Sequence, residues 1–271
     1  MTRTTPHAMN ESSSIEHISL RTRTRRTPLR AFLSQNPFPQ PMTLGFFYRE
    51  KMRAIHHIAP DHPLERILEV GGGRSGLAAM LYPEAAITNL DVDPVYASAP
   101  CNAGENVQFV VGDAVDLPFA DGSFDAVTMF DLLEHVEDDG LAVTEALRVL
   151  RPGGFLLVST PNEHWRFPYH SVLKPICPSE EEMFARWGHV RRGYAVRQLQ
   201  ELIASPPLRS ATFITPLTVL GHDIAFSNLP FRLRRALCAA LSPLTWLGYA
   251  VHRAGGVGTE TASLWQKPVE G

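Results

Sequence analysis

Glu69-Val70-Gly71-Gly72-Gly73-Arg74-Ser75-Gly76 places four glycines within six residues, directly behind the apolar run Ile67 to Val70. Glycine lets a backbone come close to a bound molecule, and the free amides of a following helix, here Leu77 to Leu81, favour a carboxylate or a phosphate. Asp91 stands twenty-two residues after Glu69, behind the next apolar run. An acid there can accept hydrogen bonds from both hydroxyls of a ribose. Together these residues describe a cradle for an adenosine-containing cofactor, and a nicotinamide dinucleotide would ask for the same acid.

His135 follows the fourth β-rich run, at the edge where parallel sheets place their ligands, so its imidazole is a candidate general base. Capping a helix or packing against a cofactor would equally explain it. Two later segments, Asn162 to His170 and Trp187 to Tyr194, are rich in aromatic, imidazole and guanidinium side chains suited to recognising an acceptor. The acids Asp131, Glu134, Glu137, Asp138 and Asp139 read as a pocket edge and a helix start, and no metal is expected.

Such residues need elements to hold them. From residue 66 short β-rich runs alternate with helical stretches: Ile67 to Val70, Ala86 to Leu90, Val107 to Val111, Asp125 to Phe130 and Phe155 to Ser159. That alternation predicts a parallel sheet with crossover helices. Val143, Ala146, Leu147 and Leu150 repeat at helical spacing, and Pro152, Gly153 and Gly154 should stop that helix. Further on, Val196 to Ile203 reads as a helix, and Ala211 to Thr215 and Ala262 to Gln266 as strands. Ahead of the sheet, Phe46 to Ile58 falls at helical spacing before Pro60.

Composition sets the outer bounds. The chain has 271 residues, 44% hydrophobic and 20% charged, enough for one catalytic domain with extensions. Cys101, Cys177 and Cys238 form no CxxC pair, which argues against a disulfide framework or a zinc cluster and fits a reducing cytoplasm. Residues 1–60 carry nine Lys/Arg against three Asp/Glu, and the first thirty offer few large apolar side chains, so residues 1–30 read as a disordered basic arm. An apolar signal-peptide core is missing there, although the Ser/Thr/Arg-rich start has some transit-peptide character.

One stretch is unusually apolar: Leu229 to Phe231, then Arg232, Arg234 and Arg235, then Ala236 to Val251, closing on His252 and Arg253. About 20 apolar residues are needed to span a bilayer, and Ser242 and Pro243 interrupt this one. A cap over the substrate, peripheral membrane contact through 229–253 and an oligomer interface all remain open, and each permits an apolar acceptor.

A series of segments carries more weight than any single motif: Val110-Val111-Gly112-Asp113-Ala114, Leu117-Pro118-Phe119, Asp121-Gly122-Ser123-Phe124-Asp125, Leu133-Glu134-His135-Val136 and Leu150-Arg151-Pro152-Gly153-Gly154. With the Gly-rich turn before it, this series resembles the class I S-adenosylmethionine-dependent methyltransferases, in the branch acting on small molecules, quinones, sugars and lipids. The resemblance implies a three-layer, Rossmann-like α/β fold with a seven-stranded, mostly parallel sheet and S-adenosyl-L-methionine as cofactor. Glu69 and the turn, with Gly71, Gly73 and Gly76, would hold its methionine part; Asp91 the ribose; Asp113 and Ala114 the adenine; Val92 and Phe130 complete the set. Ser75 stands where the family commonly has a third glycine.

The same resemblance, through a His-x-Arg-x-x-Tyr-like segment, suggests that His189, Arg191 and Tyr194 face a small-molecule or lipid-like acceptor, with His189 joining His135 as a catalytic candidate; helix capping would also account for them. His164 and Trp165, in the loop after the fifth strand, are further acceptor-binding candidates by their side-chain types. The expected organisation is a helical extension over 31–60, a core over 61–216, an apolar helical insert over 217–258 and a last strand with its tail over 259–271. Phe130-Asp131-Leu132-Leu133 lacks the Asn/Asp-Pro-Pro-Tyr segment of amino-group base methylators, so no nucleic-acid partner is expected. A nicotinamide-dependent oxidoreductase and a non-catalytic cofactor binder are the alternatives.

Overall fold

The computed structural model describes residues 26–269. Two helices come first, α1 (Leu29–Ser34) and α2 (Leu44–Ile58). The βα alternation then runs β1 (Arg66–Val70), α3 (Leu77–Leu81), β2 (Ala86–Asp91), β3 (Val107–Val111), β4 (Phe124–Phe130), α4 (Asp139–Val149) and β5 (Leu150–Pro161). Helices α5 (Glu180–Trp187) and α6 (Val196–Ile203) follow, then β6 (Arg209–Phe213), α7 (Thr218–Ala225), α8 (Phe231–Val251) and β7 (Glu260–Gln266).

The strands form one seven-stranded sheet in the order β3-β2-β1-β4-β5-β7-β6. Pairs from β3 through β5 are parallel, while β7 lies antiparallel between β5 and β6. All seven residues of β4 are buried, as expected for a central strand covered on both faces. Successive side chains alternate between those faces. Ile67, Ile87, Ala126 and Leu157 pack with α2 and α3, whereas Leu68, Val127, Met129 and Leu156 pack with α4 and α6. The result is the expected three-layer α/β fold.

Helix α2 owes its position to Phe46, Met52, Ile55 and Ile58, all buried against the sheet, each contributing about 1.5–3 kcal/mol of apolar burial. It ends before Pro60, with the Ala59 amide still donating to Ile55 O at 3.0 Å. Of the arm expected over 1–30, residues 1–25 lie outside the described residues. Arg26 donates to Ala59 O at 2.9 Å, and the Thr27 amide donates to Leu81 O at 2.8 Å, so the ordered fold already includes these two.

Two boundaries differ from the sequence reading. Helix α4 stops at Val149, and Leu150 already pairs with Phe124; Pro152 to Gly154 lie in an irregular stretch of β5 rather than ending the helix. Strand β6 ends at Phe213, because Ile214 turns to φ 53° and the Thr215 hydroxyl accepts from the Thr218 amide at the start of α7. The apolar 217–258 segment forms α7 and α8. Among the described residues no helix is long and apolar enough to cross a membrane.

Candidate functional site

Every parallel strand delivers its last residue to one edge of the sheet. Gly71 follows β1, Asp91 ends β2, Gly112 follows β3 and Asp131 follows β4. They line a cavity of about 660 Å³ together with Gly73, Val92, Asp113, Ala114 and His135. Val136 lines it as well, and so do Tyr96 and Leu132, which were missed in the sequence, where nothing sets them apart from ordinary loop residues.

Asp91 organises the cradle. Its Oδ2 accepts from the Gly73 amide at 3.1 Å and its Oδ1 from the Asp93 amide at 3.1 Å, fixing the carboxylate at the cavity wall. Gly73 has φ +50°, and a β-carbon there would meet nothing nearer than Asp91 Oδ2 at 3.8 Å. Packing therefore does not demand glycine at this position; the space beside it is cavity, which suits a bound cofactor. Gly71, at φ +69°, is closed by Leu132, 2.7 Å from the same hypothetical atom.

Three of the residues expected at the cofactor, Glu69, Gly76 and Phe130, do not line this cavity. Glu69 is buried, and both its carboxylate oxygens lie 3.3 Å from the Ala78 amide, so it occupies the start of α3 that a ligand was expected to use. Burial pushes its carboxyl up to about 7, against the pull of those amides and of Lys51. Gly76 is glycine because a β-carbon would come within 2.4 Å of Cys101 Cβ. Phe130 points into the core beneath α2. Neighbouring positions on β1 and β4 face opposite sides, and a motif match does not report which side is open.

A second cavity, about 240 Å³, lies at the β5-β7-β6 end of the same edge. Phe47, Trp165, Trp187, Phe213, Ile214 and Phe226 make its walls largely apolar, and Leu44 is the exposed residue among its lining. Lys51, His189, His222 and Glu260 supply its polar groups. Trp165 lines this cavity, whereas His164 is exposed and lines neither one. Burial drops the His222 ring to about 4, so it is neutral at pH 7.

Two contacts form the partition between the cavities. Lys51 Nζ donates to Asp131 Oδ2 at 2.6 Å. Burial opposes both charges, but each holds the other ionised: Asp131 stays below the usual carboxylate range and Lys51 above the usual amine range. Asp131 is further fixed by the Ser159 hydroxyl at 2.6 Å and sits at φ 50°, a strained conformation for a residue other than glycine. Beside this pair, the rings of His135 and His189 meet edge to face at 4.8 Å.

His189 arrives through the end of α5. Gly188 adopts φ +71° and closes that helix, and the Val190 amide then donates to Glu134 O at 2.9 Å. The Gly188 carbonyl accepts from His135 Nδ1 at 3.0 Å, which leaves His135 Nε2 as the basic nitrogen. Burial, then the neighbouring His135, lowers His189 to about 4. Glu134, almost wholly buried, is pushed up to about 8 by burial and then by Asp131.

Arg191 and Tyr194 correct an expectation. The Tyr194 hydroxyl donates to Asp139 Oδ2 at 2.6 Å, and Arg191 binds Asp139 and donates to Glu137 O at 2.8 Å. They clamp the start of α4 and line a shallow recess away from both cavities, so the capping explanation holds for them. Sequence reading missed Lys51, whose one signal was a lysine at a core-facing position of an amphipathic helix.

A family model described as a methyltransferase domain matches residues 68–158, about a third of the chain. Demethylmenaquinone methyltransferase of Renibacterium salmoninarum is 34% identical over 114 residues, 41% of this chain and 47% of the relative. A 2-methyl-6-phytyl-1,4-hydroquinone methyltransferase of Synechocystis is 28% identical over 227 residues, 79% of this chain and 68% of the relative. The chain spans about half the length of several curated relatives it matches. In fold, it is similar to an S-adenosylmethionine-dependent methyltransferase from Thermotoga maritima, with a TM-score of 0.53 at 19% identity over 82% of this chain and 90% of that one. The domain match decides between the two cofactors that Asp91 alone left open: residues 68–158 are similar to a methyltransferase domain, and the cofactor this implies is S-adenosyl-L-methionine.

Proposed function

We propose that the protein methylates a small, lipid-like acceptor bound in the apolar cavity, in a biosynthetic role. The observation that carries this reading is the shared partition: the cavity lined by Asp91 and Asp113 and the cavity lined by Trp165 and Phe213 meet at Lys51–Asp131 and His135–His189. When bound, the cofactor supplies a methyl group already activated on a sulfonium. What the protein must add is alignment of the acceptor and exclusion of water.

Gly73, Asp91, Val92, Asp113 and Ala114 are the residues that would hold the cofactor. On the acceptor side, Phe47, Trp165, Trp187 and Phe226 exclude water, while Lys51 and His189 present polar atoms toward the partition. A hydroxyl acceptor must lose its proton as it is methylated, and His135 and His189 are the groups placed to manage that proton.

An acceptor with an apolar body fits the walls, and quinol-type acceptors named for two relatives agree with that shape. Helix α8 supports a membrane-borne source. It buries only Cys238, Thr245 and Gly248 and leaves Phe231, Leu233, Leu247 and Val251 exposed, with Arg232 and Arg235 at one end. Such a face suits peripheral contact with an anionic lipid surface.

The test is methyl transfer from labelled cofactor to a panel holding a prenylated hydroquinone, a fatty acid, a water-soluble catechol and an amine. Preferred labelling of the apolar hydroxyl acceptors is expected. Labelling confined to the amine or the catechol would overturn the acceptor assignment.

A further inference from the structure

We propose that Glu134, His135 and His189 hold a divalent cation of the zinc or manganese class at the partition between the two cavities. Among the described residues, these three form a His/Glu group whose donor atoms all lie within 4.8 Å of one another. Two ligands each ~2.1 Å from a tetrahedral ion stand ~3.4 Å apart, so modest side-chain rotation brings them onto one centre.

Two observations independent of that proximity point to a ligand. Glu134 is 1% exposed, and its Oε2 makes no hydrogen bond of normal geometry, with only the Thr160 hydroxyl close to its carboxyl; His189 Nδ1 is likewise buried with no partner. Buried polar atoms are rarely left unpaired, because each costs about 1–3 kcal/mol. A cation shared between them would satisfy both.

The surroundings resemble those of a prepared site. His135 has its Nδ1–H committed to the Gly188 carbonyl, which fixes the ring and leaves Nε2 as a lone-pair donor, the usual support for a metal-bound imidazole. The Val190–Glu134 backbone bond ties the two ligand-bearing segments together. Lys51 would repel a cation, but its charge is taken up by Asp131 at 2.6 Å. Two imidazoles and one carboxylate leave open positions and favour zinc, manganese or iron over magnesium, which prefers oxygen ligands.

This inference rests on the reading that an acceptor is methylated beside His189, and it says how the proton leaves. The acceptor hydroxyl, meeting the cation at an open position as it binds, would release its proton to the water it displaces. Its oxygen then bonds to the methyl carbon as the carbon–sulfur bond breaks, leaving a methyl ether and a neutral thioether. His189 acts as a ligand in this scheme, not as the proton acceptor. Spacing along the chain offers no sign of a metal, because His189 lies 54 positions beyond His135 and joins it only through the turn at Gly188.

The test titrates the chelator-treated full chain with Mn²⁺ and Zn²⁺ by calorimetry, with Mg²⁺ as control and the Mn²⁺ resonance spectrum as a second readout. One ion per chain is expected, weakened about 10-fold or more by His135→Asn, whose ring is exposed and whose loss leaves the core intact, and by Glu134→Gln. Absence of saturable binding, or binding indifferent to both variants, overturns the site. Methyl transfer that persists unchanged in chelator would also overturn it while leaving the methyltransferase reading intact. Failure of that reading would show separately, as a folded protein that does not bind the cofactor.

Discussion

Lys51 Nζ lies 2.6 Å from Asp131 Oδ2, and each partner lines a different cavity: Lys51 the apolar one, Asp131 the one beside the Gly-rich turn. A residue from α2, ahead of the sheet, is thereby tied to the end of the central strand β4. The helical extension is part of the site rather than an appendage to it.

That pair should be costly to break and cheap to replace. Lys51 is 10% exposed and Asp131 33%, so Lys51→Met leaves a largely desolvated carboxylate beside Glu260 and Glu134. Chemical denaturation should show a loss of about 2–4 kcal/mol. The double variant Lys51→Met with Asp131→Leu should recover part of it. A double variant whose loss equals the sum of the two single losses would mean that the two charges are not coupled.

Gly73→Ala separates packing from ligand approach. A β-carbon there meets only Asp91 Oδ2, at 3.8 Å, so the folding cost is that of a left-handed alanine, about 1–2 kcal/mol. The methyl group would stand in the cofactor cavity, and binding should weaken far more than stability. A variant that binds the cofactor as tightly as the parent would show that the ligand does not approach Gly73.

Stability should fall as pH rises from mildly acidic values toward about 8. Burial pushes Glu50 up to about 8 and Glu69 up to about 7, from an ordinary 4.5. The folded state therefore holds protons that the unfolded chain releases, so the stabilisation is complete below about pH 4.5 and is lost as pH passes through 7 and 8. Melting temperatures between pH 5.5 and 8.5 should decline, and Glu50→Gln should flatten the decline. A curve that rises over this range, or a variant with an identical slope, would contradict the assignment.

Helix α8 gives a prediction about delivery rather than chemistry. Leu247→Asp and Phe231→Asp change side chains that are 54% and 63% exposed, so folding should hold within about 0.5 kcal/mol. Flotation with anionic vesicles should drop, and methylation of a vesicle-borne acceptor should drop with it, while a detergent-dispersed acceptor is methylated as before. Unchanged flotation would remove the membrane role from this face.

The cavity beside the Gly-rich turn was legible because its lining is local. Strand, glycine turn and acid are set by contiguous residues, so Gly71, Gly73, Asp91 and Asp113 could be read in order from the chain. Glu69 and Phe130 turn out not to line that cavity, because matching a motif does not say which face of a strand is open. Arg191 and Tyr194 were misread because side chains that clamp a helix start on Asp139 have the same types as side chains that grip a substrate. Lys51 and the His135–His189 contact depend on pairings across 80 and 54 residues, made by the packing of α2 and the turn after α5. Local pattern carries no record of such pairings.

The most direct test of the account is calorimetric titration of the purified chain with S-adenosylmethionine and with its demethylated product, using NADH as control and Asp91→Ala as the pocket variant. One site per chain with micromolar affinity is predicted, weakened at least about 10-fold in the variant by loss of charge-assisted hydrogen bonds, with no heat from NADH. A well-folded protein that binds neither form of the cofactor, or that binds NADH instead, would contradict it.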